Sequence, residues 1–114
     1  MITRIWRGWT TEENAAAYEG LLIREIFPGI AKRRIDGYLG ISLLKRAQGS
    51  EVEFVTIMWF TNLEAVRAFS GSDYEVAVVP PKARALLSRF DERSAHYETV
   101  KPPFSETSVD VQTR

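Results

Sequence analysis

Residues 51–60, Glu-Val-Glu-Phe-Val-Thr-Ile-Met-Trp-Phe, restrict the fold of this chain more than any other stretch. The run is rich in β-branched and aromatic residues and contains no breaker, which predicts a strand. Alternate side chains of a strand point to opposite faces. Val52, Phe54, Thr56, Met58 and Phe60 therefore share one face, and Val55, Ile57 and Trp59 share the other. Both sets are largely apolar. Burying one Phe or Met side chain is worth ~1.5–3 kcal/mol, so a sheet built on this strand has to be covered on both sides.

The flanking segments supply one cover. Residues 2–9 read as a first strand, followed by Thr10 and Glu13 at capping-box spacing. The helix after them carries Ala15, Tyr18, Leu22 and Ile26 at steps of three and four, a single apolar stripe. Pro28-Gly29 disturbs it near its end, and Asp36-Gly37 stops the segment. Residues 38–46 predict a second strand, joined to the third through Gln48-Gly49-Ser50 as a hairpin. Asn62 caps a helix through Leu63, Val66 and Phe69; Pro80-Pro81 opens a short helix over 82–87; residues 89–99 form a last strand. The order is strand, helix, strand, strand, helix, strand. This predicts an α+β, ferredoxin-like βαββαβ domain over residues 1–100, with an antiparallel four-stranded sheet. Residues 101–114 are polar and interrupted by proline, and read as a C-terminal arm or disordered tail.

Helices of such a domain cover one sheet face only, and a short polar tail is too little to cover the other. A large exposed apolar patch marks an interface, and the simplest partner is a second copy of the chain. A homodimer is therefore expected. Met58→Asp or Phe60→Asp splits it if that face of the third strand is the interface.

Composition narrows the function classes. Lys+Arg and Asp+Glu are 15 each, and the one dense basic run is Lys32-Arg33-Arg34, so no nucleic-acid partner is expected. There are no cysteines, which removes disulfides, thiolate metal sites and cysteine nucleophiles. No apolar run approaches the ~20 residues of a membrane span, and Met1-Ile-Thr-Arg-Ile-Trp lacks the pattern of a signal peptide. The expectation is a cytoplasmic protein without a membrane partner. No Gly-rich phosphate loop, Gly-x-Ser-x-Gly or His-Glu-x-x-His is present.

The opening Met1-Ile-Thr-Arg-Ile-Trp-Arg, the Gly37-Tyr-Leu-Gly40 start of strand two, and Phe54-Val-Thr-Ile-Met-Trp59 running on to Phe69 resemble the antibiotic-biosynthesis-monooxygenase family. The resemblance covers residues 1–100 or so. It implies a dimeric α+β barrel with a pocket between each sheet and its helices. Members of this family include cofactor-independent oxygenases of phenols and quinones, haem-degrading proteins and proteins without known activity. The haem-degrading branch places an Asn on strand one, which falls near Trp6 here. Its Trp falls near Ala68 or Phe69 and its His near Tyr74 to Val78, so its motif does not carry over.

The candidate site residues follow from side-chain chemistry. His96 is the only histidine and shares a strand face with Phe90, Ser94 and Val100. It is the candidate general base, and as a rival reading an axial haem ligand. Arg4 shares a face with Ile2 and Trp6, and inside a core it would anchor an anion or phenolate. Tyr74 lies after helix two, where the family lines its pocket, and its hydroxyl would orient a substrate. Trp6, Trp59 and Phe69 are the candidate pocket walls for a flat aromatic substrate. No cofactor and no metal are expected. The expected partner besides a second copy is a hydrophobic aromatic small molecule, which the chain oxidises with O2 or, on the rival reading, only binds.

Overall fold

A computed structural model describes residues 1–104. Of the C-terminal arm expected over 101–114, residues 105–114 lie outside the described residues. Strand β1 (Ile2–Thr11) leads into helix α1 (Glu12–Leu21), a π-helical segment (Leu22–Ile26) and helix α2 (Phe27–Lys32). Strands β2 (Tyr38–Gln48) and β3 (Glu51–Phe60) form the hairpin, with Gly49 at positive φ in its turn. Helix α3 (Leu63–Ser70) follows, then the short helix α4 (Pro81–Leu86) and strands β4 (Leu87–Phe90) and β5 (Ala95–Glu98). The sheet is antiparallel with order β2-β3-β1-β4, and β5 also pairs with β1. This is the ferredoxin-like arrangement, with β1 and β3 in the centre. No helix among the described residues is long and apolar enough to cross a membrane.

The first helix departs from expectation at both ends. Its cap is Thr11, whose hydroxyl accepts from Asn14 N at 3.2 Å, because β1 runs two residues further than the sequence suggests. Its end is not broken by Pro28. Proline has no N–H to give to the preceding turn. The helix instead widens just before it, where Phe27 N–H donates to Leu22 O, five residues back. The chain then continues helically to Lys32. The second helix begins as expected at Asn62, whose side chain accepts from Ala65 N at 2.9 Å.

Two apolar clusters fill the space between sheet and helices. Phe60, Val66 and Phe69 centre one, under α3; Tyr18, Leu22 and Phe54 centre the other, under α1. Met58 and Phe60 are therefore core residues. This corrects the suggestion that they carry an interface: the covered face is theirs, and the open face belongs to Val55, Ile57 and Trp59. Cross-strand register adds Thr3, Ile5 and Arg7 from β1 and Ser42 and Leu44 from β2 to that open face.

The expected continuous last strand is two short ones. Past Asp91, whose N–H still donates to Arg7 O on β1 at 2.9 Å, residues 92–94 turn away to bond the segment after α3. Val76 bridges Arg93, Ala77 N donates to Glu92 O, and Ser94 N donates to Glu75 O. The ladder on β1 is interrupted there because those backbone groups find partners elsewhere. The interruption matters for function, since it draws residues 74–76 over the inner face of β1.

Candidate functional site

Arg4 is the anomaly of the inner face. Alternation puts it between Met58 on β3 and His96 on β5, both directly opposite it across the ladders. It is only 3% exposed. A buried cation ordinarily has a carboxylate beside it. Among the described residues Arg4 has none. Its partners are all neutral. Nη1 donates to Tyr74 O at 2.5 Å and faces His96 Nε2 at 3.0 Å, with Ser70 Oγ at 3.4 Å; Nη2 donates to Val76 O at 3.1 Å. The guanidinium also sits 5.3 Å from the centre of the Phe69 ring. Burial pulls its pKa down to about 10, which still leaves it charged at neutral pH.

His96 is set by this neighbour. Guanidinium groups only donate, so Nε2 accepts and the ring proton belongs on Nδ1. Nδ1 is buried and has no hydrogen-bond partner among the described residues. Burial first, and the Arg4 charge second, hold the His96 pKa below its usual value; Glu75 and the Ser94 backbone pull weakly the other way. The Tyr74 ring packs edge-on against the imidazole, 5.0 Å between centres. A consequence follows for stability. As pH falls from about 6.5, the unfolded chain takes up a proton that the folded imidazole resists, so stability declines until the lowered folded pKa is reached. His96→Gln keeps an acceptor for Arg4 and removes that part of the decline. Urea denaturation at pH 7.5 and 5.5 measures it; an identical pH dependence in both proteins would contradict a depressed His96 pKa.

Beside Arg4 lies a cavity of about 60 Å³. The sheet contributes Arg4, Trp6, Ile41, Thr56 and Met58; the long helix contributes Tyr18, Leu22, Ile26, Phe27 and Ile30. Phe69, the segment Val78–Pro80, Ala83 and Ser94 complete the wall. The π-helical segment is part of this wall, and such segments recur at functional sites. Trp6 is held by Nε1–H donating to Asp91 O at 2.7 Å. Its ring lies across Gly8, where a Cβ would fall 2.8 Å from Trp6 Cη2, so a side chain there would displace it.

The sequence-predicted residues therefore divide. Arg4, His96 and Tyr74 come together, with Arg4 in the cavity wall and the other two behind it. Trp6 and Phe69 line the cavity. Trp59 does not: alternation along β3 sends it to the open face, where Phe104 packs on it edge-on at 5.6 Å. His96 presents neither ring nitrogen to the cavity, so the residues present do not fit an axial haem ligand. Ser94 was noticeable in the sequence only as a face-mate of His96. It is 4% exposed, lines the cavity, and its hydroxyl has no partner among the described residues.

No family model matches the chain, and no curated protein matches it either. Solved structures do match it. A candidate antibiotic biosynthesis monooxygenase from Bacillus cereus shares 15% identity at a TM-score of 0.59, covering 94% of this chain and 98% of its own. Rv0793 from Mycobacterium tuberculosis shares 18% at 0.61, covering 90% and 98%. A candidate antibiotic biosynthesis monooxygenase from Deinococcus radiodurans shares 18% at 0.62, covering 94% and 100%. Over nearly its whole described length, this chain has the fold of the antibiotic-biosynthesis-monooxygenase-like proteins.

Proposed function

We propose that the protein is a homodimeric, cofactor-independent monooxygenase of a hydrophobic aromatic substrate, bound in the Arg4 cavity. The observation that carries this reading is a buried guanidinium with only neutral partners, set in an otherwise apolar wall with Trp6, Phe27 and Phe69. A cation in that setting favours any ligand that develops negative charge on oxygen. For a phenol the reaction balances as phenol plus O2 giving quinone plus water. One oxygen atom enters the ring, and the other leaves with the ring hydrogen and the hydroxyl hydrogen. Arg4 stabilises the phenolate, which is the electron-rich form that reacts with O2. His96 acts by fixing Arg4 and not as the base, since its Nε2 is turned to the guanidinium.

The test is O2 consumption with a panel of phenols and hydroquinones. Arg4→Met is expected to lower kcat by roughly 10²–10³, the usual loss of one buried oxyanion donor. Wild-type protein that binds these compounds and consumes no O2 is instead a non-catalytic binding module. The cavity is smaller than the ~300 Å³ or more of pockets that enclose a whole drug-sized ligand, so on either reading part of the ligand lies outside it.

The dimer belongs to the same reading. Leu44 and Tyr97 are more than half exposed on the outer sheet face, around half-buried Ile5, Val55, Ile57 and Trp59. Shallow grooves of about 410 and 360 Å³ flank this patch, one beside Ile5 and Tyr97 and one beside Leu44 and Val55. Side chains of a second copy fit there.

A further inference from the structure

Two residues of the cavity wall keep hydrogen-bonding capacity that no protein atom takes up among the described residues. Ser94 Oγ is buried and has no partner among the described residues. Arg4 uses Nη1 on three acceptors and Nη2 on Val76 O, and among the described residues Nε–H has no acceptor. Ser94 lies two residues before His96, which is directly opposite Arg4, and just outside β5, where its N–H bonds Glu75 O instead of β1. Both line the same cavity. Water can give Ser94 a hydrogen bond but cannot balance the Arg4 charge.

Size then selects the ligand group. One water takes ~10–15 Å³ of a cavity measured this way, so about 60 Å³ holds on the order of four small atoms or waters. That is room for a carboxylate and the carbon it is attached to, with one oxygen on Arg4 and the other on Ser94. It is not room for a ring. The remaining wall, with Trp6, Phe27, Phe69 and Pro80, is apolar and suits a ring at the mouth. We infer that Arg4 and Ser94 form a carboxylate-binding site, and that the protein's ligand is an aromatic acid whose ring lies toward the cavity mouth. This deepens the oxygenase reading by naming its substrate class, a hydroxylated aromatic acid, for which Arg4 holds the carboxylate in place of the phenolate, and rests on that reading only for the reaction. A carboxylate arrives already ionised at neutral pH, so its capture needs no base, in keeping with a His96 turned away from the cavity.

Calorimetric titration with benzoate tests the site directly, with benzamide and phenol as uncharged analogues. Benzoate is expected to bind at least tenfold more tightly than benzamide. Ser94→Ala is expected to weaken benzoate about tenfold, the usual worth of one hydrogen bond to a charged group, and to leave benzamide within twofold. The unliganded variant should melt no lower than wild type, because its hydroxyl has no partner to lose. Arg4→Lys keeps the charge and loses the planar fork, and should weaken benzoate while the fold survives. Equal binding of benzoate and benzamide overturns the inference, as does full competition by equimolar chloride. The two readings fail separately. If benzoate does not bind while phenols bind and are oxidised, the carboxylate site falls and the oxygenase stands. If benzoate binds and neither phenols nor hydroxybenzoates consume O2, the oxygenase falls and the carboxylate site stands.

Discussion

Ile57→Asp is expected to leave the subunit folded and to abolish the self-association proposed for it. Ile57 sits in the middle of the open face, paired with Ile5 on β1 and Ser42 on β2. In the isolated subunit an aspartate there reaches water, so the change in monomer stability is small. In a dimer closed over this face the carboxylate is cut off from water, and Arg7, its diagonal neighbour on the face, is already paired with Asp91 at 3.0 Å. One unpaired polar group buried in this way costs about 1–3 kcal/mol, and an ionised one more. A symmetric dimer carries the substitution twice. At 1.4 kcal/mol per tenfold, the association constant falls by at least about 25-fold. Light scattering after size exclusion reads the result at micromolar concentration: twice 13.0 kDa for wild type and 13.0 kDa for the variant. A dimeric Ile57→Asp, or a monomeric wild type, rejects this face as the interface.

Met58→Asp is the informative contrast. Met58 is one residue away and nearly fully buried against Phe60, Val66 and Phe69. An aspartate there enters the core of its own subunit, so the expected outcome is loss of the folded state, with dissociation only as a by-product. The pair separates two explanations for a missing dimer that a single variant would confuse.

Those neighbouring residues also mark what the amino-acid sequence could reveal. Alternation along β3 correctly sorts Met58 with Phe54 and Phe60, and Ile57 with Val55 and Trp59. It cannot say which set meets the helices, because both sets are apolar and periodicity is a local property. The deciding information is the handedness of the connections and the apolar stripe of the first helix, which are properties of the whole fold. The same limit explains Trp59, assigned by chemistry to a pocket wall and carried by register to the opposite face. Element order was legible because each strand and helix carries its own caps, turns and periodicity. The broken fourth strand was not, since residues 92–94 leave β1 for partners at 75–77 that no nearby residue announces.

The site was legible in the same uneven way. Arg4 and Trp6 share a strand face, and His96 and Ser94 share another, so each pair is visible from spacing of two. That the two strands lie side by side, with Arg4 opposite His96, requires the β1–β5 register. The carbonyls of Tyr74 and Val76 that hold the guanidinium carry no side-chain signature at all. Backbone acceptors become available only because the chain between α3 and α4 has no regular structure of its own. A sequence shows which side chains can do chemistry; the backbone groups that orient them appear only with the fold.

Phe54→Ala is expected to cost much of the stability while leaving a folded fraction to measure. Phe54 is fully buried on the inner face of β3, and its ring meets Tyr18 edge-on at 4.9 Å and 69°. Leu22 and Ala83 complete the cluster around it, so no neighbour can move into the vacated space without uncovering another. Tyr18 is itself nearly inaccessible, and burial pushes its hydroxyl pKa well up, so at working pH it remains a neutral phenol packed on a ring that has gone. Phe→Ala in such a position costs ~3–5 kcal/mol, against a total of ~5–15 kcal/mol for a domain. For a chain of this size that lowers Tm by roughly 12–30 °C. Differential scanning calorimetry of the variant measures it, and a drop under about 5 °C would mean that α1 is not seated on β3 through this pair. The vacated volume adjoins the Arg4 cavity, because Tyr18, Leu22 and Ala83 line both. The variant should therefore admit a larger aromatic ring while folding less stably. Benzoate and naphthoate titrations on the folded fraction would show their order of affinity reversed relative to wild type, whereas a wild-type order would place the Phe54 void outside the ligand's reach.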